Sequence, residues 1–198
     1  MTLLLLASLA ACDRQSPPAG QAAANGEAPA PITSGEATGS SASGKGEFSY
    51  TLDRSKAGTP APDLTFQTLD GNDTTLPDFA GKPLLVNLWA TWCAPCVAEM
   101  PTLDAVAAAY GPKGLSVVAV SQDSQGGKIV QPFFAKQGFK HLKSWIDPEN
   151  QLGFHYATGM LPTTILYDAQ GKEVARVIGA MDWNGKEAHA LIAEAMQS

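Results

Sequence analysis

Trp92-Cys93-Ala94-Pro95-Cys96 places two thiols three residues apart in a chain with only one other cysteine, Cys12. Thiols at that spacing can close a small disulfide ring and reopen it, which is two-electron redox chemistry. The nucleophile is the thiolate, and an unperturbed thiol has a pKa of about 8.5. The stretch after Cys93 reads as helix. Cys93 therefore stands where unpaired backbone N–H groups and the helix dipole favour an anion. It is the expected attacker. Cys96, one turn later, is expected to be more buried and to act as the resolving thiol. Pro95 has no N–H to leave unpaired in the first turn, and it stiffens the loop. The rival reading of the pair is a structural zinc site, which needs a full tetrahedral set of ligands. There is no second CxxC, and His141, His155 and His189 are scattered. No metal is expected, and no organic cofactor: the cysteine pair is the redox centre.

The elements that must hold this pair follow from hydrophobic periodicity. Residues 84–89 are apolar apart from Asn87 and read as a strand covered on both faces. Residues 96–110 read as a helix, with Val97, Met100, Leu103 and Val106 at helical spacings and Pro101 inside it. Residues 115–120 form a second buried strand, 128–137 a helix, and a further short helix starts at Asp147-Pro148-Glu149. Residues 163–167 and 174–178 are strands around a turn, and 185–196 a closing helix. Upstream, 63–67 and 74–76 read as a hairpin around Asp70-Gly71. The expected class is α/β, a mixed central sheet flanked by helices with an N-terminal β-hairpin. The last hairpin is expected to form an antiparallel edge. Phe133, Phe134, Phe139, Trp145, Phe154 and Tyr156 read as core. Trp92, in the loop before Cys93, suits either packing or contact with a substrate.

Bulk properties set the surroundings. The 198 residues are 44% apolar, enough for one folded domain, and the net charge of −6 argues against nucleic-acid binding. Three cysteines are too few for a disulfide-stapled scaffold. Residues 1–12 form an apolar run ending in Leu9-Ala10-Ala11-Cys12. It is shorter than the roughly 20 residues a spanning helix needs. It resembles a bacterial lipoprotein signal, which implies lipidation at Cys12. Residues 13–50, rich in Ala, Pro, Gly and Ser, cannot bury enough surface to offset their ordering entropy and read as a disordered tether. Residues 51–198 are the expected folded domain.

Over roughly residues 60–198 the chain resembles the thioredoxin superfamily, and within it the TlpA/ResA-like thiol–disulfide oxidoreductases. The resemblance rests on the run Val86-Asn87-Leu88-Trp89-Ala90-Thr91-Trp92-Cys93-Ala94-Pro95-Cys96 and on Glu99-Met100-Pro101. It also rests on Gly159-Met160-Leu161-Pro162-Thr163-Thr164-Ile165-Leu166-Tyr167-Asp168 and on Gly179-Ala180-Met181-Asp182-Trp183. It implies a thioredoxin fold with a central helical insertion over 122–156. It makes Pro162 a cis-proline facing the thiols, with Leu161 before it, so Trp92, Pro95, Leu161 and Pro162 become the substrate-binding set.

Asn87 stands where thioredoxin has a buried aspartate. Glu99 matches an acidic residue that tunes the thiols, completing a catalytic set of Cys93, Cys96 and Glu99. A carboxylate one turn from Cys96 lies on the same side of the helix, where it would disfavour the thiolate or relay its proton. The resemblance further implies a monomer anchored in the bacterial periplasm. It would reduce disulfides of partner proteins in cytochrome c maturation or copper-site assembly, and a membrane electron donor would re-reduce it.

Three alternatives stand beside this. An oxidase or isomerase of secreted proteins would use the same fold. A thiol peroxidase needs a Thr-x-x-Cys loop, which Thr91-Trp92-Cys93 does not supply. A copper-binding module would use the two thiolates, but no Met/His cluster lies near them in sequence.

Overall fold

The computed structural model describes residues 37–42 and 47–198. The strands are β1 (Ala37–Ala42), β2 (Glu47–Asp53), β3 (Phe66–Thr68), β4 (Asp73–Thr74), β5 (Leu84–Trp89), β6 (Ser116–Ser121), β7 (Lys143–Ile146), β8 (Thr163–Tyr167) and β9 (Glu173–Gly179). The helices are α1 (Ala94–Tyr110), α2 (Gly127–Gln137), α3 (Gln151–Tyr156) and α4 (Lys186–Gln197). The described strands form one mixed sheet in the order β1-β2-β9-β8-β5-β6-β7-β3-β4.

β5 lies at the centre, parallel to β6 and antiparallel to β8. A parallel pair needs a long crossover, and α1 supplies it. All six residues of β5 are buried, as expected for a strand covered on both faces. Leu85 and Trp89 join a cluster with Met100 and Leu103 of α1, Val130 of α2 and Leu191 of α4. Leu84, Val86 and Leu88 point the other way, to Leu152 and Tyr156 of α3 and to Phe66. Each buried leucine or valine contributes about 1.5–3 kcal/mol; Asn87 in the same strand contributes no such gain.

The structure moves four expected features. The folded unit begins before residue 51: β2 pairs with β9 and β1 pairs with β2, so both strands lie in or extend into the stretch read as tether. Low hydrophobicity hides β1, whereas β2 carries a strand period in Phe48, Tyr50 and Leu52, with Tyr50 and Leu52 in the core, at the end of a stretch read as tether from its overall composition. The hairpin β8–β9 is consequently interior, since β2 and β1 lie outside β9. The upstream hairpin exists, but β4 stops at Thr74, and Leu76–Phe79 is a 3-10 turn whose Thr75–Asp78 capping box ends the strand. Phe154, read as core, is 74% exposed.

Gly179 shows how closely β2 approaches. It has φ 102°, and a Cβ there would stand 2.4 Å from the Ser49 carbonyl oxygen. Only glycine fits this site. The signal-peptide reading of residues 1–12, Cys12 included, falls outside the described residues, as does most of the proposed tether.

Candidate active site

β5 delivers the chain to Trp89 and Ala90, and a turn then closes through the Cys93 N–H donating to the Ala90 carbonyl at 3.1 Å. Asp123, just past β6, pins this turn. Its carboxylate accepts from the Thr91 N–H at 2.9 Å, the Thr91 hydroxyl at 2.8 Å and the Ser121 hydroxyl at 2.8 Å. Asp123 is 1% exposed, so these bonds stand in for the water it has lost.

Cys93 follows as the N-cap of α1, and its Sγ accepts from the Cys96 N–H at 3.3 Å. The cap position gives the sulfur a donor at the positive end of the helix dipole. Cys93 and Cys96 are joined as a disulfide, S–S 2.02 Å. Cys96 is wholly buried and Cys93 is 5% exposed. The sulfur open to attack is therefore that of Cys93.

Cys93 lines a cavity of about 510 Å³ with Leu88, Trp92, Gln122, Met160 and Leu161 among its walls. Trp92 is 71% exposed at its rim, which favours the substrate-facing alternative for this residue. The Leu161–Pro162 bond is cis, as the resemblance implies. Leu161 reaches the cavity, whereas Pro162 is buried behind it and Pro95 is exposed outside it. No lysine, arginine or histidine lines this space. A second hollow of about 190 Å³, around Pro60, Phe79 and Tyr167, contains none of the candidate site residues.

Glu99 lies one turn beyond Cys96 and is entirely buried. Its Oε1 accepts from Asn87 Nδ2 at 2.8 Å and its Oε2 from the Met181 N–H at 3.0 Å. Burial pushes its pKa up to about 8, against the opposing pull of the Met181 N–H, the Asn87 amide and the Trp183 indole. The indole lies near enough to favour the charged form without completing a hydrogen bond. Asn87 also donates to the Thr164 hydroxyl at 2.9 Å.

The structure thus brings Cys93, Cys96, Glu99, Trp92 and Leu161 to one end of β5. It adds Asp123, Asn87, Thr164 and the Met181 amide, which the sequence did not point to as partners. Asp123 is 32 residues from Thr91 and Met181 is 82 from Glu99, so local spacing carries no signal of either contact. Among the described residues, no group of three or more His, Cys, Asp or Glu side chains is placed to hold a metal ion. No helix among them is long and apolar enough to cross a membrane.

The sequence matches the Redoxin family over residues 56–192. The chain belongs to the Redoxin family. It is 33% identical over 127 residues to the thiol-disulfide oxidoreductase ResA of Bacillus cereus, an overlap covering 64% of this chain and 72% of that protein. Its fold superposes with a TM-score of 0.64 on a Chlorobium tepidum protein proposed to be the thiol:disulfide interchange protein DsbE. That pair is 28% identical, covering 70% of this chain and 96% of the other. The exposed lipoprotein thioredoxin of Streptococcus pneumoniae is 26% identical with a TM-score of 0.56, covering 66% and 98% respectively. The architecture is therefore thioredoxin-like. With the Cys93–Cys96 pair capping α1, this Redoxin-family chain is a thiol–disulfide oxidoreductase of the TlpA/ResA-like group.

Proposed function

We propose that the protein is a lipid-anchored periplasmic reductant of protein disulfides, held to a membrane through Cys12. The observation that carries the redox assignment is the asymmetry of the pair: Cys93 caps α1 and faces the cavity, and Cys96 is sealed behind it. In the reduced protein the Cys93 thiolate attacks a client disulfide, forming a mixed disulfide and expelling one client thiolate. Cys96 then gives its proton to Glu99 in its ionised form, a base whose pKa of about 8 lies near that of a thiol, and its sulfur attacks Cys93 Sγ. The second client thiolate leaves and Cys93–Cys96 closes. Two electrons pass from the pair to the client, and an external dithiol on a membrane donor must return them.

The direction rests on what surrounds Cys93. Strong oxidants of this chemistry owe their potential to a stabilised reduced form. Here the sulfur has one backbone donor, no cationic side chain in the cavity wall, and a buried carboxyl one turn below Cys96. The thiolate is thus only modestly stabilised, which suits a reductant. Candidate clients, from the family resemblance, are apocytochrome c thiols or cysteines of copper-site assembly proteins, met by a monomer.

Equilibration with glutathione buffers, read by alkylation, tests the direction. A couple near that of thioredoxin, about −270 mV, supports the reductant. One near that of DsbA, about −120 mV, assigns the protein to oxidation or isomerisation instead.

A further inference from the structure

Asn87 is the one polar residue of β5, and none of it reaches solvent. Side-chain alternation along the strand puts it on the same face as Leu85 and Trp89, which pack with Cys96 and Met100. Its amide gives both hydrogens away, to Glu99 Oε1 and to Thr164 Oγ1, and its Oδ1 is buried without a partner. An orphaned buried carbonyl is unfavourable, and a leucine would avoid it. The position therefore keeps a destabilising group whose two bonds both have a use. One runs to the carboxyl below the thiols. The other crosses to β8, where Thr164 sits two residues beyond Pro162 and directly opposite Asn87 in register.

We propose that Asn87 is a positioning residue for the exchange reaction, fixing the Glu99 carboxyl and tying it through Thr164 to the strand that carries the Leu161–Pro162 wall. The inference rests on the reading above in which Glu99 accepts the Cys96 proton. In that step the Cys96 S–H bond breaks and its proton goes to a Glu99 oxygen. The Cys96–Cys93 bond forms as the bond from Cys93 to the client breaks, and the client leaves as a thiolate. The carboxyl can meet that proton from one set position only while the amide holds it. The groups facing Glu99 are the Asn87 amide from β5 and the Met181 N–H and Trp183 indole from the loop after β9, with Cys96 one turn before it on α1. Asp182 is the titratable neighbour in that loop.

The test is a carbon-13 NMR titration of the Glu99 carboxyl in full-length oxidised protein, wild type against Asn87→Leu. A second measurement follows Cys93 alkylation against pH in the reduced protein. Loss of a donor to the charged form should raise the Glu99 midpoint by about one unit and displace the alkylation profile. In a Glu99→Gln background, Asn87→Leu should leave that profile in place. If the leucine variant fails to fold, Asn87→Ala removes the same donor with less steric demand. An unchanged midpoint in a folded variant overturns the proposal, as does a displaced profile that persists with Glu99→Gln. If the wild type cannot reduce protein disulfides, the reductant reading fails, while the carboxyl titration still decides the role of Asn87.

Discussion

The backbone N–H of Cys96 donates to Cys93 Sγ at 3.3 Å, so the peptide of the second cysteine helps to make the first the cap of α1. The spacing sets this geometry, because a cap side chain reaches the N–H groups two and three residues on. It also separates the roles. The capping sulfur gains the donor and the opening to the cavity, and the next turn carries its partner into the core.

Glu99 should make stability depend on pH in an unusual sense. Its carboxyl is raised from 4.5 in the open chain to about 8 in the fold. Between those values the folded state holds a proton that the unfolded state has released, so stability falls as pH rises through the window. It is fully present below the unfolded value. Glu99→Gln keeps the group neutral throughout. In urea titrations of the oxidised protein it should match wild type near pH 4 and exceed it by a few kcal/mol at pH 9. Parallel curves for the two proteins across this range would remove the buried carboxyl from the account.

Asp123 anchors the turn ahead of the thiols through Thr91 and Ser121. Asp123→Ala leaves those donors unpaired, with an expected loss of about 2 kcal/mol or more in urea unfolding. Exchange with a model disulfide should slow as well, because Cys93 is two residues from the freed Thr91. A stability loss with unchanged exchange rate would make Asp123 purely structural.

Much of this site was legible in the sequence, and the limit has a physical form. The CxxC, the buried strand before it and the helix after it are local patterns that the structure holds, whereas Glu99 is singled out by the family resemblance and the structure shows it buried one turn beyond Cys96. The links from Asp123 to Thr91, from Met181 to Glu99 and from Asn87 to Thr164 depend on sheet order and register, which no single segment encodes. The early strands β1 and β2 escaped detection for a related reason. In β1 the Ala, Thr, Gly and Ser residues leave no hydrophobic period to read; in β2 Phe48, Tyr50 and Leu52 do alternate, but the partner strand β9 is remote in sequence. Phe154 resembles its buried neighbours in type, yet α3 turns it outward while burying Leu152 and Tyr156.

Away from the thiols, Arg176 and Glu173 form a buried ion pair at 2.5 Å in β9, and Arg176 also donates to the Tyr156 carbonyl. Removing one partner strands the other charge. Arg176→Met should cost about 3–5 kcal/mol, and adding Glu173→Gln should restore much of it. A double variant no better than the single one would show that lost packing, not the uncompensated charge, sets the cost.

Trp92 stands at the cavity rim with most of its surface in water. Trp92→Ala should therefore change stability by less than about 0.5 kcal/mol. It should slow reduction of a protein disulfide more than reduction of a small-molecule one. Equal slowing of both would place the indole's effect on Cys93 itself rather than on client contact.

The division of labour between the two cysteines is tested most directly by trapping. Cys96→Ala and Cys93→Ala variants are each presented with a disulfide-bonded protein, quenched with acid and alkylator, and resolved without reductant. Cys96→Ala should accumulate a mixed disulfide through Cys93, and Cys93→Ala should trap almost none, because its remaining sulfur is buried. Trapping through Cys96 in the Cys93→Ala variant, with none in Cys96→Ala, would contradict the assignment.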